Sequence, residues 1–149
     1  MAAIRRADVT WTGGLTDGRG TVGASTSKAF SDLPVTWASR TEEADGRTSP
    51  EELLAAAHAA CFSMAFSSGL AKNGTPPERL DVGATVTFDK GDSGWKVASS
   101  ALTVRGVVPG IDSATFKQLA NAAKDGCPIS GAIKGNVELT VDAELVPAR

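Results

Sequence analysis

Ser49-Pro50-Glu51-Glu52-Leu53-Leu54-Ala55-Ala56-Ala57-His58-Ala59-Ala60-Cys61-Phe62-Ser63-Met64-Ala65-Phe66 is the stretch around which the rest of the chain is organised. Ser49 offers an N-cap hydroxyl, Pro50 fits the first helical position, and Glu52, three residues after Ser49, completes a capping box. The pattern continues to Ala71-Lys72 and stops at Asn73-Gly74, a good left-handed cap, with Pro76-Pro77 forbidding continuation. The spacing predicts one helix of about 22 residues, well above the usual length. Ala55, Ala56, Ala57, Ala59, Ala60 and Ser63 crowd it, which predicts a buried central helix approached closely on most of its circumference. It carries the only histidine and one of the two cysteines.

Working outward, Ala7 to Trp11 alternates as a strand, and Gly13-Gly14 with Asp17-Gly18 marks a hairpin turn into a second strand near Gly20 to Ser25. Leu33 to Trp37 reads as an edge strand, because Pro34 has no N–H for a ladder. Arg40 to Thr48, with its Asp45-Gly46 turn signal, reads as a solvated charged loop. Behind the helix, Val82, Ala84, Val86 and Phe88 alternate with polar or small residues, Gly91 to Gly94 turns, and Trp95 to Val107 returns. Asp112 caps a second helix, Ser113 to Lys124, ended by Gly126; a helical turn from Pro128 to Lys134 and a strand from Val137 to Val141 follow. Strands on both sides of the helix, with no linker or repeat, predict a single α+β domain over residues 1–149.

At 149 residues, 42% hydrophobic and 21% charged, the chain has the composition of a globular domain that buries a real core without staples. A net charge of −2 gives no electrostatic case for nucleic acid or an anionic membrane. The start lacks the features of a signal peptide, and no run is read as a membrane span of roughly 20 apolar residues, so the expectation is a cytoplasmic protein. In that reducing setting, two cysteines 66 residues apart read as free or redox-active thiols rather than a structural disulfide.

The two cysteines differ in local setting. Cys61 lies mid-helix among Ala and Phe, which raises a thiol's pKa; Cys127 lies between Gly126 and Pro128, where the next helix's positive end favours thiolate. Local sequence therefore makes Cys127 the more reactive, and either residue also reads as a small buried hydrophobe. His58 stands three residues before Cys61, on the same helix face. That spacing admits a Cys-His nucleophile or a zinc site of His58, Cys61 and Cys127. It equally admits a packed histidine donating one hydrogen bond, the plainer reading. A non-catalytic ligand-binding dimer is a further alternative.

Residues 49–65, the Val108-Pro109-Gly110-Ile111-Asp112 segment, and Ala123-Lys124-Asp125-Gly126-Cys127-Pro128-Ile129-Ser130 together resemble the OsmC/Ohr family. Within it, the likeness is greater to the osmotically inducible OsmC branch than to the organic hydroperoxide resistance proteins. The resemblance covers the chain from the Trp11 strand to the last strand. It implies an OsmC-like fold of antiparallel strands around a long central helix, in an intertwined homodimer. It also implies a stress-response cysteine peroxidase without metal or other cofactor, reducing organic hydroperoxides and, less efficiently, hydrogen peroxide. Carried over by position, Cys61 is the peroxidatic and Cys127 the resolving cysteine, closing a disulfide that an external thiol, such as a dihydrolipoyl protein, reduces. The family's arginine and glutamate fall on Arg40 and Glu51, although Arg47 lies in the same loop. Ser49 replaces the family's usual Asn; both residues cap helices.

A thiol with an ordinary pKa of about 8.5 is only a few per cent thiolate at neutral pH, and lowering it two units takes roughly 2.7 kcal/mol. A guanidinium held flat by a carboxylate fork supplies such stabilisation. Glu51 and Cys61 are ten residues apart on one predicted helix, about 15 Å along its axis. Either that helix breaks, or Glu51 and Arg40 serve Cys61 of a second subunit.

Overall fold

The computed structural model describes residues 1–148. The chain divides into two compact units, Met1–Leu53 and Leu54–Arg149.

In the first unit, β1 (Ala7–Thr12) and β2 (Arg19–Ala24) pair antiparallel, with Ala7 opposite Ala24 and Thr12 opposite Arg19. The predicted turn forms with Gly13 at φ 93, and the Gly14 N–H donates to Asp17 Oδ1 at 2.9 Å. A Cβ on Gly13 would stand 2.9 Å from the Gly18 Cα, so the turn needs glycine on steric as well as dihedral grounds. The third strand, β3 (Leu33–Val35), takes the edge beyond β2, as Pro34 requires. Against the expectation from composition, the charged segment from Arg40 to Thr48 is not a loop throughout. Trp37–Thr41 is a short helix, α1, so Arg40 stands in a helical turn. Its start is a reciprocal cap: the Ser39 N–H donates to Thr36 Oγ1 and the Thr36 N–H to Ser39 Oγ, both at 3.0 Å. Five residues are too few to show a helical period, which is why composition pointed to a loop. The Asp45-Gly46 turn forms as predicted, with φ of 48 and 75.

The long helix, α2 (Pro50–Lys72), has 23 residues without a break. Ser49 Oγ accepts from the Glu52 N–H at 3.1 Å, half of the predicted capping box; the Glu52 carboxylate accepts from the Thr48 hydroxyl at 2.7 Å instead. Gly74 follows at φ 82. By length and composition, with a mean hydropathy of 1.5, α2 is long and apolar enough to cross a membrane, contrary to the expectation that no run is. Many alanines reach that mean without a solid apolar surface. In the second unit, α2 buries a single stripe at four-residue spacing: His58, Phe62, Phe66 and Leu70. Ala56, Ala60, Met64 and Ser68 on another face are exposed, so burial around most of the circumference is not met within one chain.

That stripe packs into one core. The antiparallel hairpin of β4 (Arg79–Gly91) and β5 (Gly94–Val107) carries a bulge between Thr87 and Phe88, and β6 (Glu138–Leu145) joins β5 in parallel. The two helices between β5 and β6, α3 (Ser113–Gly126) and α4 (Pro128–Ile133), supply the crossover that a parallel pair needs. Asp112 caps α3 as predicted, its Oδ1 accepting from the Thr115 N–H at 2.8 Å. The core joins Phe62, Phe66 and Leu70 to Leu102 and Val104 of β5, Phe116 and Ala120 of α3, and Ala143 of β6. Phe66 and Phe116 meet with ring centroids 5.0 Å apart and tilted by 56°. Gly106 lets the Phe116 ring lie on β5, since a Cβ there would stand 2.7 Å from that ring.

Candidate active site

Cys61 projects from the middle of α2, half-buried, and Cys127 is buried at the junction of α3 and α4. The junction is tightly built. The Cys127 N–H donates to the Ala123 carbonyl at 2.9 Å, ending α3, and the Cys127 carbonyl accepts from the Gly131 N–H at 3.0 Å, starting α4. Pro128 follows in the first turn, as its lack of an N–H favours. Both cysteines are free, and each thiol shifts the pKa of the other, as neighbouring titratable groups do.

The electrostatics of the pair are unequal. Burial pushes the Cys61 thiol up, its interaction with Cys127 raises it further, and only the Ile129 N–H opposes this. Burial also pushes Cys127 up. It is outweighed by the Cys61 thiol, the N–H and hydroxyl of Ser130 and the Ile129 N–H, which together hold Cys127 below its ordinary value. Ionisation of the pair is therefore easier at Cys127 than at Cys61, in line with the expectation from local sequence that Cys127 is the more acidic. Cys127 occupies the N-cap of α4 without a side-chain cap hydrogen bond of regular geometry, so the helix end acts on it electrostatically.

His58 is fully buried and makes two hydrogen bonds rather than the expected one: Nδ1 to Ser100 Oγ at 2.6 Å and Nε2 to Ser130 Oγ at 2.8 Å. Neither serine stood out in the sequence. They lie 42 and 72 residues from His58, and no local pattern links them. Burial depresses the His58 pKa below the ordinary histidine value of 6.5. The unfolded chain therefore takes up this proton first on acidification. Stability from His58 is whole above 6.5 and is lost as pH falls from there through the folded value, at up to about 1.4 kcal/mol per pH unit. Urea midpoints recorded between about pH 7.5 and 5.5 will fall in the unaltered chain and flatten in His58→Gln.

In the first unit, Arg40 and Glu51 form the forked pair expected of them. Arg40 Nε donates to both Glu51 carboxylate oxygens, at 2.9 and 3.1 Å, and Nη2 lies 2.8 Å from Oε1. The Glu51 side chain is 8% exposed and that of Arg40 30%, so the carboxylate is the more enclosed partner of the pair. The Trp37 ring lies under the guanidinium, 5.8 Å from centroid to Cζ. Arg47 pairs instead with the exposed Asp45 at 2.9 Å. Among the described residues, no three His, Cys, Asp or Glu side chains gather as metal ligands.

The profile of the family described as OsmC-like protein matches residues 43–142. Peroxiredoxin OsmC of Escherichia coli is 40% identical over 145 residues, 97% of this chain and 99% of its own length. Among solved structures, the organic hydroperoxide resistance protein OhrB of Bacillus subtilis superposes with a TM-score of 0.72 at 26% identity, over 93% of this chain and 98% of that one. An organic hydroperoxide resistance protein from Elizabethkingia anophelis superposes with a TM-score of 0.76 at 24% identity, over 98% and 100%.

Proposed function

The chain belongs to the family of OsmC-like proteins, and we propose that it is a thiol-dependent hydroperoxide peroxidase whose redox centre is Cys61 with Cys127. One observation carries the assignment: two free thiols interact, one half-buried within reach of solvent and the other 1% exposed. The reachable sulfur meets the peroxide and the enclosed one resolves it. The Cys61 thiolate attacks the distal oxygen of an organic hydroperoxide, the O–O bond breaks, and the alkoxide leaves and is protonated to the alcohol. Cys127 then attacks the Cys61 sulfenic acid; an S–S bond forms, the S–O bond breaks, and water departs. A dithiol reductant, such as a dihydrolipoyl group, returns both thiols and leaves as its own disulfide.

Activation of Cys61 is part of the proposal. Its surroundings in the second unit raise its pKa, so the cation that makes it nucleophilic comes from elsewhere. Arg40, oriented by Glu51, suits this role, since its guanidinium stabilises a thiolate and donates to the leaving oxygen. With α2 unbroken, we assign the Arg40–Glu51 pair to Cys61 of a second copy in a homodimer. Support for a second copy lies in the apolar surface that one chain leaves open: Met64 on α2 is 73% exposed, and Val9 and Trp11 on β1 are 60% and 41% exposed. The free thiols suit a reducing, cytoplasmic setting. Steady consumption of cumene hydroperoxide with dihydrolipoamide as the only reductant, undiminished by a chelator, is the expected result. No turnover above the protein-free rate would overturn the assignment.

A further inference from the structure

We propose that Ser100, His58 and Ser130 form a proton-ordered chain that aims the Ser130 hydroxyl at Cys127 and so positions the resolving sulfur for closure on Cys61. The inference rests on the peroxidase reading, and concerns its second step alone. All four residues of the chain and its target are buried, with His58 and Ser100 at 0% exposure and Ser130 and Cys127 at 1%. Solvent therefore neither supplies nor accepts their protons.

The direction of the chain follows from donor counting. A neutral imidazole has one N–H and one bare nitrogen, and each serine has one proton to give. In one arrangement His58 Nδ1–H donates to Ser100 and the Ser130 hydroxyl donates to Nε2. The Ser100 proton then has no acceptor among its described contacts, since Ser100 Oγ meets only His58. In the other, the Ser100 hydroxyl donates to Nδ1, Nε2–H donates to Ser130 Oγ, and the Ser130 proton is free to point at the Cys127 sulfur three residues earlier. Ser130 is the third residue of α4, the position that reaches back to the N-cap residue, so only this arrangement leaves each buried donor a neighbour to take it, and an unspent donor is costly at such a site. The lowering of the Cys127 pKa by the Ser130 hydroxyl agrees with it. Cys127 is the titratable group that Ser130 acts on in its own unit, and Cys127 in turn acts on Cys61.

The consequence is kinetic. During closure the Cys127 sulfur forms the S–S bond, the Cys61 S–O bond breaks, and the hydroxide leaving takes the proton that Cys127 gave up, leaving as water. A donor fixed on Cys127 holds its sulfur in place and keeps it in the attacking thiolate form. His58 and Ser100 hydrogen-bond to each other and, through His58, to Ser130, and are positioning residues that act through it.

Rapid mixing with one equivalent of cumene hydroperoxide, with dimedone to trap sulfenic acid and alkylation to count thiols, separates the two steps. In Ser130→Ala, disulfide closure is expected to slow about tenfold, the size of one hydrogen bond to a charged group, and its pH profile to move to higher pH. Cys61 sulfenic acid then accumulates, and Ser130→Thr, which keeps the hydroxyl, restores closure. Closure at the unaltered rate in Ser130→Ala, or closure as slow in the Thr variant as in the Ala variant, overturns the inference. If Ser130→Ala does not fold, Ser130→Gly carries the same expectation, because it too removes the hydroxyl that faces Cys127; unaltered closure there overturns the inference equally. Failure of the unaltered chain to oxidise Cys61 at all is a different result, and sinks the peroxidase reading and this inference together.

Discussion

Cys61→Ser is expected to lower kcat/KM for cumene hydroperoxide at least about a thousandfold, a loss of about 4 kcal/mol of transition-state stabilisation. A hydroxyl is no substitute, because the reaction needs an anionic, polarisable sulfur that can expand to the sulfenic acid. Cys127→Ser behaves differently. Cys61 is still oxidised once, but closure cannot follow, so dimedone labels a persistent sulfenic acid and excess peroxide drives it irreversibly to sulfinic acid. Mass spectrometry of the two variants after peroxide treatment separates these outcomes. If instead Cys127→Ser abolished the first oxidation while Cys61→Ser kept it, the roles would be reversed.

Arg40→Ala is expected to produce the second largest effect, on activity and stability together. Removing the guanidinium leaves the Glu51 carboxylate, 8% exposed, without the donor that forks onto it. The loss of that charged hydrogen bonding is worth about 1.5–3 kcal/mol, discounted for the partial exposure of Arg40. Glu51→Ala costs less stability, because a guanidinium already 30% exposed can be hydrated. In both variants the pH at which Cys61 reacts with hydroperoxide moves upward, because the thiolate loses its cation. The in-trans assignment is then tested by mixing Cys61→Ala chains with Glu51→Ala chains, which unfold and refold together. Each mixed dimer regains one site with Cys61 from one copy and an intact Arg40–Glu51 pair from the other. No recovery of activity on mixing would remove the second copy from the site.

What could be read from the residues alone followed local rules. Ser49-Pro50 and Asn73-Gly74 bracket α2, Asp112 starts α3, and the Gly13 to Gly18 signal makes the first hairpin, because caps and turns act over three or four residues; Gly126, expected to end α3, is instead its last helical residue, with Cys127 as the cap. The errors have the same origin in reverse. The short helix holding Arg40 and the Thr48 partner of Glu52 depend on reciprocal contacts that a charged composition hides. The parallel pairing of β6 with β5 depends on packing between distant parts of the chain, and an alternating strand does not declare its partner. For the site, residue pattern placed Cys61 among apolar neighbours that disfavour its thiolate and Cys127 at a helix start, but the order of their roles came from the family resemblance. His58 marks where the sequence was least informative. Its two serines come from β5 and α4, and a histidine among alanines shows nothing of them.

The pairing of Cys61 with Cys127 is tested most directly by counting thiols after one equivalent of cumene hydroperoxide, with the disulfide then located by peptide mass. The account predicts that both titratable thiols disappear together and that one peptide pair, joining Cys61 to Cys127 within a single chain, accounts for the loss. A protein that keeps two titratable thiols after this treatment contradicts it.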